Sequence, residues 1–118
     1  MNKRFRIIEI MKKGDVCLID LDPGARHEQF GERPAILISD TKTEIIIIIP
    51  LTANLEALRF PYTLAILPDT KNNLKQKSVA LIFHLRAINK SRVLKTIGKI
   101  DLKLQKEIDE ILKRMLRL

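Results

Sequence analysis

The chain of 118 residues has one cysteine, no tryptophan, one tyrosine and four phenylalanines. A lone Cys17 excludes an internal disulfide framework and a multi-cysteine zinc site. Aromatic residues at 4% cannot make ring stacking the main source of affinity for a partner. No apolar run approaches the roughly 20 residues that span a bilayer. The N-terminal stretch is basic, but Glu9 interrupts Ile7, Ile8 and Ile10, so no signal-peptide core forms. These absences predict a soluble, cytoplasmic chain with no membrane partner. Glycine-rich phosphate loops of either common pattern are missing, which argues against nucleotide-driven chemistry. A Ser-His-Asp hydrolase would need a nucleophile elbow, and none occurs. Cys17, His27 and His84 have no metal-ligand spacing between them, so neither a metal nor another cofactor is expected.

What is present is apolar and basic. The length fits a single domain over residues 1–118, and a hydrophobic share of 46% can fill one core. The net charge is +8, which points to an anionic partner. That charge is unevenly placed. Residues 71–100 hold eight cations, among them Lys75, Lys77 and Arg86, and no acid. Residues 15–32 hold five acids against Arg26. A long acid-free stretch signals anion binding better than a mixed surface does, although a solvated lysine face kept for solubility is the simpler alternative.

Hydrophobic patterning places strands first. Asp15–Leu21 is β-rich and runs into the turn sequence Asp22-Pro23-Gly24. Residues 23–33 form a loop. Pro34–Ser39 is a strand with proline at its start, and Asp40–Thr43 fits a hairpin connection. Ile45–Ile49 is an unbroken β-branched run suited to a central strand buried on both faces and stopped by Pro50. Phe60–Leu67, Ser78–Ile88 and Val93–Ile100 are further strands. The period then changes. Leu104, Ile108, Ile111, Leu112 and Met115 follow helical spacing, Asp101 is placed to cap, and Lys113, Arg114 and Arg117 favour the negative end of the dipole. A helix is predicted over 102–117. Short strands closed by one terminal helix imply a small antiparallel barrel or a strongly bent sheet.

Few residues in this framework can do chemistry. The loop at 26–33 crowds Arg26, His27, Glu28, Gln29, Glu32 and Arg33 between two apolar strands. Arg33 precedes Pro34 and is biased to an extended backbone. Its planar cation could hold a phosphate or a developing phosphorane charge; a loop of solvated charges is equally compatible. Thr52, two residues past Pro50, could bond its own backbone or a phosphate oxygen. His84 and Arg86 would share a face of the strand 78–88.

Taken in order, these segments resemble the MazF/PemK family of toxin endoribonucleases. The resemblance is carried by Gly14-Asp15-Val16, Asp20-Leu21-Asp22-Pro23, Glu28-Gln29 with Gly31, Arg33-Pro34-Ala35 and Pro50-Leu51-Thr52. Pro61, Ser78-Val79, Arg86-Ala87-Ile88, Lys90-Ser91-Arg92, Gly98-Lys99 and the final helix continue it. It covers residues 12–118 and leaves 1–11 as a short basic extension. It implies a small SH3-like antiparallel β-barrel with a C-terminal helix, and a homodimer. It implies metal-independent cleavage of single-stranded RNA by 2′-hydroxyl attack, giving 2′,3′-cyclic phosphate and 5′-hydroxyl ends. Arg33 and Thr52 would be catalytic, with Glu28 a further active-site candidate. Gln29, Phe30, Arg86, Lys75 and Lys77 would contact RNA. A cognate antitoxin with an acidic tail would cover the same groove. The chain departs from the family pattern at His27, where serine is common, at Phe30, where glycine is common, and at Phe83-His84, where an acid and glutamine are common. His27 and His84 are therefore candidates for proton transfer or for RNA contact. The alternatives on the same barrel are a non-catalytic RNA-binding module and a gyrase-inhibiting toxin.

Overall fold

A computed structural model describes residues 11–20 and 32–118. Among these residues seven strands precede one helix: β1 (Asp15–Asp20), β2 (Glu32–Asp40), β3 (Ile45–Thr52), β4 (Thr63–Ile66), β5 (Ser78–Leu81), β6 (Arg86–Asn89), β7 (Val93–Lys99) and α1 (Leu102–Leu116). Every pairing is antiparallel. The order is β4-β5-β3-β2-β1-β7, with β6 also on β3. Among the described residues the sheet is open, with β4 and β7 as its ends, so the mainly β fold with a C-terminal helix is as expected and the barrel is not hydrogen-bonded into a ring.

The isoleucine run sits at the centre of this sheet. Ile46 and Ile48 pack with Cys17, Ile19, Ala35, Leu37, Ile88 and Val93 on one face. Ile49 and Leu51 pack on the other with Val16, Ile36 and the helix residues Ile108 and Ile111. Alternate side chains of one strand thus feed two cores, the pattern of a strand covered on both sides. Pro50 does not stop it. β3 continues to Thr52, and Pro50 falls where the strand has left β6 at Ile48↔Arg86 and not yet met β5 at Leu51↔Ala80. A missing N–H is tolerated at such a gap in pairing.

Two other expected strands are shorter. Residues 78–88 are not one strand but β5 and β6, separated by a 3₁₀ turn at Ile82–His84. Residues 60–67 contribute only β4, preceded by a 3₁₀ turn at Leu55–Arg59. The tight turns let the chain change partners along β3, which a continuous strand could not do.

The helix matches its periodicity. The Asp101 carboxylate accepts the Leu104 N–H at 2.8 Å, an N-cap that satisfies an orphan donor. Ile108 and Ile111 are buried, while Leu104, Leu112 and Met115 pack partly buried against the same core. Gly14 lies under the helix at φ +94°, and a Cβ there would strike the Gln105 side chain. None of the described helices is long and apolar enough to cross a membrane.

Candidate active site

The hairpin β2–β3 sets the geometry of the site. Near its turn the partners are Asp40↔Ile46 and Ser39↔Ile47; beyond a bulge they become Leu37↔Ile48, Ile36↔Ile49 and Ala35↔Pro50. The extra residue is Ile38, which is partly buried against the helix-side core. The ladder ends at Ala35↔Pro50, and Arg33 and Thr52 lie two residues beyond that pair on their strands. A one-residue shift of register turns every side chain beyond it to the other face, so the bulge decides which face the open end of β2 presents.

Arg33 and Thr52 both line a groove of about 620 Å³. Its walls include the end of β3, the 73–78 segment and β7, and they bring in Asn73, Lys75, Gln76 and Lys95. Three cations, Arg33, Lys75 and Lys95, line this space against one acid, Glu32. Among the described residues no hydrogen bond or ion pair engages the Arg33 guanidinium. The Thr52 hydroxyl oxygen accepts the Asn54 N–H at 3.1 Å. That bond is the local backbone contact expected of a strand-end threonine. It fixes the oxygen but uses only an acceptor lone pair, so the hydroxyl proton remains for a ligand.

The wall carrying Lys75 is built by Asn72, which is 1% exposed. Its side-chain oxygen accepts the N–H groups of Asp69 at 3.1 Å and Leu74 at 2.9 Å. Its amide donates to the Leu67 carbonyl at 2.9 Å. The segment is tied to β7 by Asn73, which donates to the Ile97 carbonyl at 2.6 Å, and by Lys99, whose N–H donates to the Lys71 carbonyl at 2.9 Å. Gly98 makes the approach possible, because a Cβ there would collide with the Lys71 carbonyl oxygen and the Asn72 backbone. The turn formers Asp69, Asn72 and Asn73 are the sequence signal for this wall. Lys95 is concealed within the acid-free stretch.

The remaining candidates lie elsewhere. His27, Glu28, Gln29 and Phe30 fall outside the described residues. Lys77 and Arg86 are exposed and do not line the groove. His84 belongs to the 3₁₀ turn rather than to a strand face shared with Arg86, and its ring meets Phe83 edge-on with centroids 5.0 Å apart. Cys17 is buried, and that burial, with a smaller push from the Asp15 charge, raises its thiol to about 12. It stays protonated at neutral pH and is no nucleophile there.

A model of the PemK-like, MazF-like toxins of type II toxin–antitoxin systems matches residues 12–116. The chain belongs to this family. It is 31% identical over 114 residues to the endoribonuclease EndoA of Bacillus subtilis, covering 92% of this chain and 97% of that protein. Its fold matches the crystal structure of MazF from Deinococcus radiodurans with a TM-score of 0.71 at 24% identity, over 92% of this chain and 97% of that one. It also matches an endoribonuclease in complex with its cognate antitoxin from a mycobacterial species, with a TM-score of 0.68 at 17% identity, over 92% and 94% of the two chains.

Proposed function

We propose that this toxin-family chain is a metal-independent endoribonuclease that cuts single-stranded RNA. The observation that carries the reading is that Arg33 and Thr52, from the open ends of β2 and β3, line one groove together with Lys75 and Lys95. In this reaction the ribose 2′-hydroxyl attacks the adjacent phosphorus. Its proton leaves to a base, a bond forms between the 2′ oxygen and phosphorus, and the bond to the 5′ oxygen breaks. The departing 5′ oxygen takes up a proton. The products are a 2′,3′-cyclic phosphate and a 5′-hydroxyl, with no water consumed.

Negative charge accumulates on the non-bridging oxygens in the transition state. The Arg33 guanidinium supplies a fork of donors and a fixed charge to them. The Thr52 hydroxyl donates its remaining proton to one of them, held in aim by Asn54. Glu28 is the further active-site candidate for the proton steps, and His27, Gln29 and Phe30 accompany it as RNA contacts. His84, away from the groove lining, fits contact with RNA better than proton transfer. Lys75 and Lys95 hold flanking phosphates, with Lys77 and Arg86 extending the basic surface. The partner in this reading is an antitoxin whose acidic tail competes for the same cations, and the toxin acts as a cytoplasmic homodimer.

The test is incubation with a long single-stranded RNA in EDTA beside Arg33→Ala, with mass analysis of the new ends. Cyclic-phosphate ends that vanish with Arg33→Ala are the expected result. Intact RNA that remains bound would make the chain a non-catalytic RNA binder. Intact, unbound RNA would turn the search to a protein target such as gyrase.

A further inference from the structure

The described residues hold only three aromatic side chains besides His84, and all three lie together on the surface. Phe60 is 45% exposed, Phe83 40% and Tyr62 38%. The other two phenylalanines, Phe5 and Phe30, lie outside the described residues. Phe60 and Phe83 meet edge to face with centroids 6.0 Å apart and planes at 63°. Phe83 meets His84 in the same way at 61°. The Arg59 guanidinium lies over one face of the Phe60 ring, 5.1 Å from its centre. Edge contacts brace the rings without covering both of their faces. The brace extends to the backbone, since the Phe83 N–H donates to the Tyr62 carbonyl at 3.2 Å. Tyr62 itself takes a left-handed φ of +59°, uncommon for a bulky side chain.

The cluster is joined to the groove by two short paths. The Asn54 side chain caps the Leu55–Arg59 turn by accepting the Glu56 N–H at 3.1 Å, and its own N–H is held by Thr52. On the second path Val79 pairs with Thr52, and Phe83 follows four residues later. At no more than about 3.6 Å per residue, plus one strand spacing, Phe83 lies within about 20 Å of Thr52. A handful of nucleotides bridges that span.

We propose that the Arg59–Phe60–Phe83–His84 cluster is a stacking platform for a splayed-out base of the RNA strand lying in the groove. Half-exposed rings, one of them capped on a single face by a guanidinium, are surfaces that unpaired bases stack on. Arg59 and Arg86 against Glu56 leave the local charge favourable to a polyanion. The proposal rests on single-stranded RNA being the substrate. It assigns the platform to affinity and base choice and leaves bond breaking to Arg33 and Thr52. The exposed Leu55 and Leu58 beside it would equally suit a protein partner, and that outcome is built into the test.

The variants are Phe60→Leu and Phe83→Leu, which keep apolar bulk and remove the ring, and Phe83→Trp, which restores one. Binding is read by fluorescence anisotropy on a labelled 2′-O-methyl RNA of mixed sequence, which 2′-hydroxyl attack cannot cut. Cleavage is read on unmodified RNA of the same sequence, with the cut positions mapped. Each leucine variant is expected to weaken binding about 5-fold or more, and Phe83→Trp to bind like the parent. In cleavage KM should rise, kcat should stay, and base preference should relax at one position near the cut. Unchanged binding in both leucine variants overturns the platform, as does a change confined to self-association. A parent protein that binds the methylated strand but never cuts the unmodified one overturns the nuclease reading alone, and the leucine variants still decide the platform. A parent that binds neither overturns both.

Discussion

The two ends of the β2–β3 hairpin are made from the same strands and treat their polar groups in opposite ways. At the turn Asp40, Thr41 and Thr43 are all paired. The Asp40 carboxylate takes the Lys42 N–H at 2.9 Å and the Lys90 ammonium at 3.2 Å. The Thr41 hydroxyl donates to the Ile45 carbonyl at 2.6 Å, and Thr43 accepts the Ile45 N–H at 3.0 Å. At the open end, among the described residues, Arg33 has no partner and Thr52 spends only a lone pair. Partnered polar groups fix a conformation; groups held in place but left with unused donors are available to a ligand. The turn end therefore belongs to stability and the open end to chemistry, and substitutions should separate the two.

The largest effect is expected from Arg33→Ala. Loss of a transition-state charge partner should lower the cleavage rate on the order of 10²–10³-fold, with the melting temperature nearly unchanged because no described contact is lost. Thr52→Val comes next. It keeps the branched shape and removes the donor, and a hydrogen bond to a charged oxygen corresponds to a rate loss of about 10–100-fold. Thr52→Ser should recover most of it. An equal loss of stability and rate in either variant would erase the division between the ends.

The bulge at Ile38 explains why the sequence revealed the members of this site and not their meeting. Strand and helix segments followed from apolar period: the isoleucine run, the 104–115 helix face and the Asp101 cap all stand where patterning puts them. Arg33 and Thr52 stood out by residue type at strand ends. Their meeting in one groove depends on a register that one inserted residue shifts, and an isoleucine in a bulge looks like an isoleucine in a ladder. The strand over 78–88 failed for a related reason. Its apolar run hides a 3₁₀ turn, because Ile82 is buried in either conformation while partner exchange along β3 is a tertiary demand. Pro50 misled in the other direction, since its missing donor matters only where a neighbour strand is present. The groove wall at 69–78 depends on the closeness of Gly98 to a backbone 26 residues away, which no local pattern records.

That wall gives two tests of intermediate size. Gly98→Ala should force the Lys71–Asn72 backbone off β7 and destabilise the fold by about 1–3 kcal/mol. A thermal melt reads the loss, and KM for RNA should rise with it because Lys75 moves. Lys95→Ala should weaken RNA binding several-fold without destabilising the fold. Its mark is the salt dependence: one phosphate contact fewer makes the slope of log K against log salt shallower by about 0.7 on a single strand. An unchanged slope would remove Lys95 from the RNA path and leave it a surface cation.

The smallest effect belongs to the turn end. The Lys42 N–H, aided by Lys90, holds the Asp40 carboxyl below its ordinary value of 3.8 against the opposing cost of burial. A carboxylate with a depressed folded-state pKa stabilises the fold fully above the unfolded-state pKa and loses that contribution as pH falls through the lower folded value. Asp40→Asn should therefore cost no more than about 1 kcal/mol at neutral pH, as partly exposed ion pairs do. The gap between variant and parent should hold level down to mildly acid pH and close only in strong acid. RNA cleavage should be untouched throughout, because Asp40 lies at the end of the hairpin away from Arg33. A cleavage defect in Asp40→Asn without a matching loss of stability would mean that the turn reports to the groove through the hairpin register. The bulge at Ile38, between the two ends, would then be the place to look for the coupling.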